Sequence, residues 1–192
     1  QSDHWNRTPG TKLSLTTYTN ADEVELLVNG KSYGTKKNDK NSAKMRNQIR
    51  WEDVVYQGGY CEAIARTNGK IVARHKIETT GKAVAFKLVA DNPAWIADGM
   101  DLQHVRVIAV DSKGSRVCNA VADVTVKVQG EASLAAMSNG NIKTDELSVT
   151  DHQKLFNGSC LAILRSGVSP SPVTVTVSAP GFKTAKIKLS TK

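Results

Sequence analysis

The sequence predicts an all-β chain built from two β-sandwich domains in tandem. Several segments alternate apolar and polar residues with a period of two, which is the pattern of strands that bury one face. Asn-Gly turn signals separate neighbouring segments, and two-residue turns of this type join antiparallel strands. No window shows the period of an amphipathic helix.

The clearest element is a hairpin near the N-terminus. Val24, Leu26 and Val28 fall on one strand face, and Asn29-Gly30 follows them directly. Both turn residues tolerate a positive φ, which a type I′ turn requires at both central positions. We therefore expect the residues after Gly30 to fold back as an antiparallel partner strand.

Residues 1–81 are predicted to form one immunoglobulin-like β-sandwich. Short alternating segments separated by turn signals at regular spacing are typical of that architecture. Besides the hairpin, the predicted strands are Lys12–Tyr18, Gln48–Trp51, Tyr60–Thr67 and Lys70–Glu78. Asn68-Gly69 is a second hairpin signal between the last two.

Residues 82–192 are predicted to form a second immunoglobulin-like sandwich. A short polar stretch, Thr79–Lys82, precedes a new series of alternating segments, so we place the domain boundary there. The predicted strands are Val84–Leu88, His104–Val110, Val124–Val128, Ser159–Arg165, Val173–Val177 and Ala185–Leu189.

Composition excludes several classes of function. Hydrophobic residues make up 40% and charged residues 23%, as in a globular protein, and no apolar stretch is long enough to insert into a membrane. The net charge of +8 is spread evenly, since each predicted domain holds 13 basic and 9 acidic residues. The densest basic run, 36–50, lacks interleaved aromatic residues, so we expect a solvated loop and no nucleic-acid partner.

The sequence gives no signal for a cofactor or a metal. The three cysteines, Cys61, Cys118 and Cys160, include no CxxC pair, and none of the four histidines has a ligand at a recognised spacing. We expect Cys61 and Cys160 to be small buried residues, with one disulfide left open as an alternative. Asp98 and Asp101 could offer oxygens to Ca²⁺, but turn capping by Asp is the favoured interpretation.

Aromatic side chains are the candidates for contact with sugars, because rings stack against the apolar faces of sugars. Trp51 is in phase with Ile49 on a strand, so we expect it in the core. Trp95 follows Asn-Pro-Ala in a loop, so we expect it to be exposed, and it is the candidate carbohydrate-binding residue.

Several short motifs in the first domain carry a family resemblance. In order along the chain they are His4-Trp5-Asn6, Tyr18–Leu26, Val28–Ser32, Ile49–Trp51 and Ala63–Ala73. Together they resemble the C-terminal β-sandwich of bacterial family 2 glycoside hydrolases, the β-galactosidase group. Tyr60-Cys61 departs from that pattern, where small or apolar residues are usual.

The second domain resembles the last domain of long enzymes in that family, and also the immunoglobulin-like domains of invasin-type proteins. The residues that carry this resemblance are Ala97–Asp101, Val105–Gly114 and Asn157-Gly158. Cys118 stands where the pattern usually has proline or another small residue.

The resemblance implies a non-catalytic accessory region. A (β/α)₈ barrel takes about 250 residues and alternates strands with helices, so none fits here. We expect the two catalytic carboxylates of a retaining glycosidase in an upstream domain of the same polypeptide. His4 and Trp5 would then lie at the joint with that domain. Glu23 and Glu25 are interpreted as solubilising charges on one strand face.

The chain begins with Gln1, so we expect it to be a piece of a longer protein. We expect that protein to be periplasmic or extracellular. Two alternatives remain open. One is a carbohydrate-binding module, with glycan as the partner, and the other is a segment of a surface adhesin built from immunoglobulin-like repeats.

Overall fold

The computed structural model describes residues 5–192, which contain strands, turns and loops but no helix. The strands pair into four antiparallel sheets, which confirms the predicted all-β sandwich class. The described residues accordingly include no helix that is long and apolar enough to cross a membrane. The chain divides into two compact units, one ending at Thr79 and the other beginning at Thr80.

The first unit contains two sheets. A two-stranded sheet has the order β1–β4, and a four-stranded sheet has the order β3–β2–β5–β6. The strands are β1 (Lys12–Tyr18), β2 (Glu23–Val28), β3 (Lys31–Lys37), β4 (Gln48–Val55), β5 (Tyr60–Thr67) and β6 (Lys70–Glu78).

The predicted hairpin joins β2 to β3. Asn29 has a φ of 51° and Gly30 a φ of 80°, as a type I′ turn requires. The Asn29 side chain fixes the turn to the next strand, because its Oδ1 accepts a hydrogen bond from the Tyr60 N–H at 2.8 Å. The hairpin prediction is therefore confirmed.

The core of the first unit lies between its two sheets. Val24, Leu26 and Val28 of β2 are buried there with Trp51 and Val54 of β4. Apolar side chains on alternate positions of β2 thus meet the facing sheet, which is what their period of two predicts.

Strand β4 is longer than the sequence predicts. It extends past Trp51 to Val55, and the register with β1 shifts between Leu13 and Leu15. Asp53 lies in this irregular part with a φ of 55°, a left-handed conformation that is uncommon for residues other than glycine. The polar residue at the irregularity breaks the alternation on which the strand prediction depends.

The second unit is a sandwich of two four-stranded sheets with the orders β10–β12–β8–β7 and β11–β9–β13–β14. Its strands are β7 (Ala85–Ala90), β8 (Leu102–Val110), β9 (Asp123–Gln129), β10 (Ala132–Ser138), β11 (His152–Lys154), β12 (Ser159–Ser166), β13 (Pro172–Ser178) and β14 (Ala185–Ser190).

The centre of the two inner faces is fully buried. Val173, Val175 and Val177 of β13 face Val105 and Val107 of β8, and each side chain is 0% exposed. Burying a valine side chain stabilises the fold by about 1.5–3 kcal/mol, so this layer contributes substantially to the unit's stability.

Two strands of the second unit were not predicted. Strand β10 reads Ala-Ser-Leu-Ala-Ala-Met-Ser, and it has neither β-branched apolar residues nor a regular alternation. Strand β11 has three residues and is recognised only by its pairing with β9. Both segments are strands because they pair with adjacent strands, and not because their own residues favour β-structure.

Candidate functional site

The structure describes one of the two residues predicted at the joint with an upstream domain. His4 lies outside the described residues. Trp5 is 1% exposed, and its ring meets the edge of Tyr56 with 5.2 Å between centroids. Trp5 is therefore part of the first unit's own core, and a role at the joint stays a prediction.

Trp95 is not exposed, which corrects the prediction made from its loop position. Its side chain is 1% exposed and packs in the core of the second unit. The indole Nε1 donates a hydrogen bond to the Asp101 carbonyl oxygen at 3.1 Å. Because the loop folds over the ring and satisfies its polar atom, Trp95 presents no free face to a sugar.

The Glu25 carboxylate on β2 stabilises the fold through hydrogen bonds and an ion pair. The Glu25 carboxylate accepts hydrogen bonds from Arg66 at 2.9 Å and from Ser32 at 3.0 Å. These contacts, the one from Arg66 first, hold the pKa of Glu25 below its usual value. A carboxyl group that stays ionised cannot serve as the general acid of a glycosidase, which needs a raised pKa.

Asp98 acts as a turn cap. Its Oδ1 accepts hydrogen bonds from the backbone N–H groups of Asp101 at 2.7 Å and Met100 at 2.8 Å. Backbone donation from Asp101 and Met100 lowers the pKa of Asp98. Within residues 5–192, no group of three or more His, Cys, Asp or Glu residues could hold a metal ion.

The cysteines are thiols and form no disulfide. Burial raises the pKa of Cys61 to about 11 and that of Cys160 to about 12. Both side chains are therefore protonated at neutral pH, and the thiolate needed for nucleophilic or metal chemistry is not formed.

The most prominent candidate site is a loop of the second unit between β10 and β11, residues 139–151, which we call the apolar loop. Three large apolar side chains project from it into solvent: Ile142 is 96% exposed, Leu147 77% and Val149 83%. Large apolar side chains that are exposed within one short segment are candidates for an interaction surface.

The apolar loop is held in shape by Glu146. Its carboxylate accepts hydrogen bonds from Gln153 Nε2 at 2.9 Å, Thr144 Oγ1 at 3.1 Å and Asn139 Nδ2 at 3.2 Å. Burial raises the pKa of Glu146, but the bonds from Thr144 and Gln153 outweigh it, and the pKa lies below its usual value. The loop is therefore a braced structure that displays its apolar side chains.

Sequence reasoning missed this site. The apolar residues of the loop are spaced irregularly and fit neither a strand nor a helix period, so no pattern singled them out. The available signal was three large apolar residues, Ile142, Leu147 and Val149, inside a segment otherwise rich in turn formers.

Two family models match the chain. Residues 86–188 match the glycoside hydrolase family 2 C-terminal domain 5, and residues 10–73 match a domain of unknown function, DUF4982. Each match lies within one of the two compact units.

Similar proteins are much longer than this chain. The β-galactosidase BoGH2A of Bacteroides ovatus is 37% identical over 97% of the chain, which corresponds to 22% of that protein. A β-glucuronidase of Formosa agariphila is 28% identical over 97% of the chain and 19% of its own length.

A solved structure has the same fold. The crystal structure of a glycosyl hydrolase family 2 member from Bacteroides cellulosilyticus matches 99% of this chain and 24% of its own, with a TM-score of 0.91 and 33% identity. Since the first of the two family models covers more than half of the chain, the chain belongs to the C-terminal domains of family 2 glycoside hydrolases.

Proposed function

We propose that this chain is the non-catalytic C-terminal region of a family 2 glycosidase and that it packs against the catalytic part of the same polypeptide. The observation that carries the proposal is the match of 97% of the chain to about a fifth of each relative. The relatives' names indicate a β-galactoside or a β-glucuronide as the substrate class.

The chemistry of the described residues supports an accessory role. Glu25 is ionised, which excludes the general-acid role, and its carboxylate is occupied by Arg66 and Ser32. Cys61 and Cys160 are buried thiols and lack the thiolate of a nucleophile. The proposed packing is supported by the apolar loop, which displays Ile142, Leu147 and Val149 to solvent. Covering one such side chain contributes about 1.5–3 kcal/mol, so the three together can hold a domain interface.

Activity assays test the catalytic half of this proposal. The purified chain should not hydrolyse aryl β-galactosides or aryl β-glucuronides, whereas the parent polypeptide should hydrolyse one of them. Turnover by the chain alone that is abolished by Glu25→Gln or Glu23→Gln would overturn the proposal.

A matched pair of variants of the parent polypeptide tests the packing. Leu147→Asp places a charge in the apolar loop and should destabilise the catalytic part by about 2–4 kcal/mol, because a buried unpaired charge is costly. Val168→Asp is the control, since Val168 is also 77% exposed but lies beyond the opposite end of β12. Equal effects of the two variants on the melting of the catalytic part would contradict packing through the loop.

We also propose that the protein works in the periplasm or outside the cell. Fractionation of source cells with an antibody to this chain tests it. Recovery of the protein in the cytosolic fraction would contradict this location.

A further inference from the structure

The solvent face of the β11–β9–β13–β14 sheet has a chemistry of its own. Its side chains alternate with the buried valines of β9 and β13. On β9, β13 and β14 it carries no aromatic ring and no large apolar side chain. Its central members, which we call the lysine–threonine face, are Thr125, Lys127, Thr174, Thr176, Lys186 and Lys188.

Strand register sets these residues in ordered rows. Thr176 of β13 pairs with Lys186 on one side and with Lys127 on the other, and Thr174 pairs with Lys188. Neighbouring strands lie about 4.8 Å apart, so the Cα atoms of Lys127 and Lys186 are about 10 Å apart. The three lysines therefore frame the two β13 threonines on a flat sheet surface.

The three ammonium groups have no carboxylate partner. Within residues 5–192, Lys127, Lys186 and Lys188 make no ion pair or side-chain hydrogen bond. Asp151 interacts with Lys127 only at longer range, its main partner being His152.

Some cations on other strands are matched to acids. Arg66 meets Glu25 at 2.9 Å, and Arg106 meets Asp91 at the same distance. Cross-strand pairing of opposite charges is the usual stabilising arrangement on a sheet. On the lysine–threonine face the cross-strand neighbours are hydroxyls instead, which leaves the positive charge available to a ligand.

Protection of the sheet edge is the alternative account of these lysines, because lysines beside an open edge discourage pairing with another chain. Lys186 and Lys188 lie on the edge strand β14, and Lys127 lies on β9 beyond its last pair with β11, Thr125 with His152. Edge protection predicts no loss of glycan binding when the three lysines are replaced, so the variants below separate the two accounts.

We propose that the lysine–threonine face binds an acidic polysaccharide, with the lysine ammonium groups on uronate carboxylates and the threonine hydroxyls on sugar hydroxyls. Ammonium groups attract carboxylates as point charges, and hydroxyls both donate and accept hydrogen bonds. The absence of a stacking ring on β9, β13 and β14 disfavours single-stranded nucleic acid, which binds through base stacking.

This role adds to the accessory function proposed above, and it is tested separately. Packing is measured by the melting of the parent polypeptide, whereas glycan binding is measured on this chain alone. Either can fail without the other.

Affinity electrophoresis and calorimetry with polygalacturonate test the proposal. Fully methyl-esterified polygalacturonate is the matched ligand, because it keeps the backbone and removes the charge. The face variant is Lys127→Gln/Lys186→Gln/Lys188→Gln. Its control is Lys31→Gln/Lys37→Gln/Lys44→Gln, which removes the same charge from exposed lysines of the first unit.

We expect the unaltered chain to bind polygalacturonate and not the ester. The face variant should lose affinity by at least about tenfold, and the control variant should stay within about threefold. The reason is that direct charge-assisted contacts contribute more binding free energy at physiological salt than screened long-range attraction does. Thr174→Val/Thr176→Val keeps charge and shape, and it should weaken binding several-fold. It also keeps the test decisive if the lysine variant fails to fold.

Three results would overturn the proposal. One is no binding of polygalacturonate by the unaltered chain. Another is an equal loss in the two lysine variants, which would mean attraction by net charge. The third is equal binding of dextran sulfate or duplex DNA, which would mean that the face accepts any polyanion.

Discussion

Replacing Trp95 with alanine measures how much the second unit depends on this buried ring. A buried aromatic side chain removes about 150–250 Å² from water, which at about 25 cal/mol per Å² corresponds to about 4–6 kcal/mol. Because alanine recovers part of that burial and the site partly relaxes, we expect Trp95→Ala to destabilise the unit by about 3–5 kcal/mol. Trp95 is 1% exposed, so nearly all of its side-chain area is removed from water and contributes to stability.

Trp95→Phe separates packing from hydrogen bonding. It keeps an aromatic ring but removes the Nε1 donor, which leaves the Asp101 carbonyl oxygen without its indole partner. We expect a loss of about 1–3 kcal/mol, smaller than that of the alanine variant.

Urea unfolding followed by far-UV circular dichroism is the assay. Trp95 is the single tryptophan of the second unit, so the fluorescence of either variant reports on the first unit alone and serves as the internal control. Unfolding of Trp95→Ala at the same urea concentration as the unaltered chain would show that the ring contributes no packing energy and is free to contact sugars.

Three further predictions concern other parts of the chain. Ellman's reagent at pH 8 should leave Cys61 and Cys160 unmodified until the protein unfolds, because pKa values of about 11 and about 12 keep both thiols protonated. Fast labelling of either thiol in the folded protein would contradict their burial. Asp53→Gly should stabilise the first unit by about 0.5 kcal/mol, since only glycine adopts a φ of 55° without cost. Asp53→Ala should destabilise the unit by about 1 kcal/mol. Thermal melts that reverse this order would show that the backbone at Asp53 is not strained. Glu25→Gln should cost about 1 kcal/mol at pH 7, because the Arg66 contact is partly buried. As the folded pKa is lowered, that contribution is present above the ordinary value of 4.5 and is lost as pH falls through the folded pKa; a difference from the unaltered chain that persists at lower pH would contradict the assignment.

Local turn chemistry and period-two alternation predicted most of the sheet framework. Asn29-Gly30 has only a few conformations open to it, and Val24, Leu26 and Val28 point to one face in any strand, so the β2–β3 hairpin follows from neighbouring residues alone. Strand β10 could not be found in this way, because its alanines and serines have no strong preference and acquire strand structure by pairing with β12.

The candidate sites were less predictable than the fold. The exposure of Trp95 depends on whether the loop folds back over the ring, where the indole Nε1 reaches the Asp101 carbonyl oxygen six residues along the chain. The apolar loop likewise depends on Glu146, whose carboxylate links Asn139 at the start of the loop to Gln153 on β11. Both features arise from side-chain hydrogen bonds across a loop, which a periodicity argument does not contain.

Immunoprecipitation of the native polypeptide from source cells, with an antibody raised to this chain, tests whether the chain is the accessory region of a larger glycosidase. We expect a polypeptide several-fold larger than 20.7 kDa whose precipitate hydrolyses an aryl β-galactoside or β-glucuronide. A polypeptide near 20.7 kDa, or a large one whose precipitate lacks glycosidase activity, would contradict it.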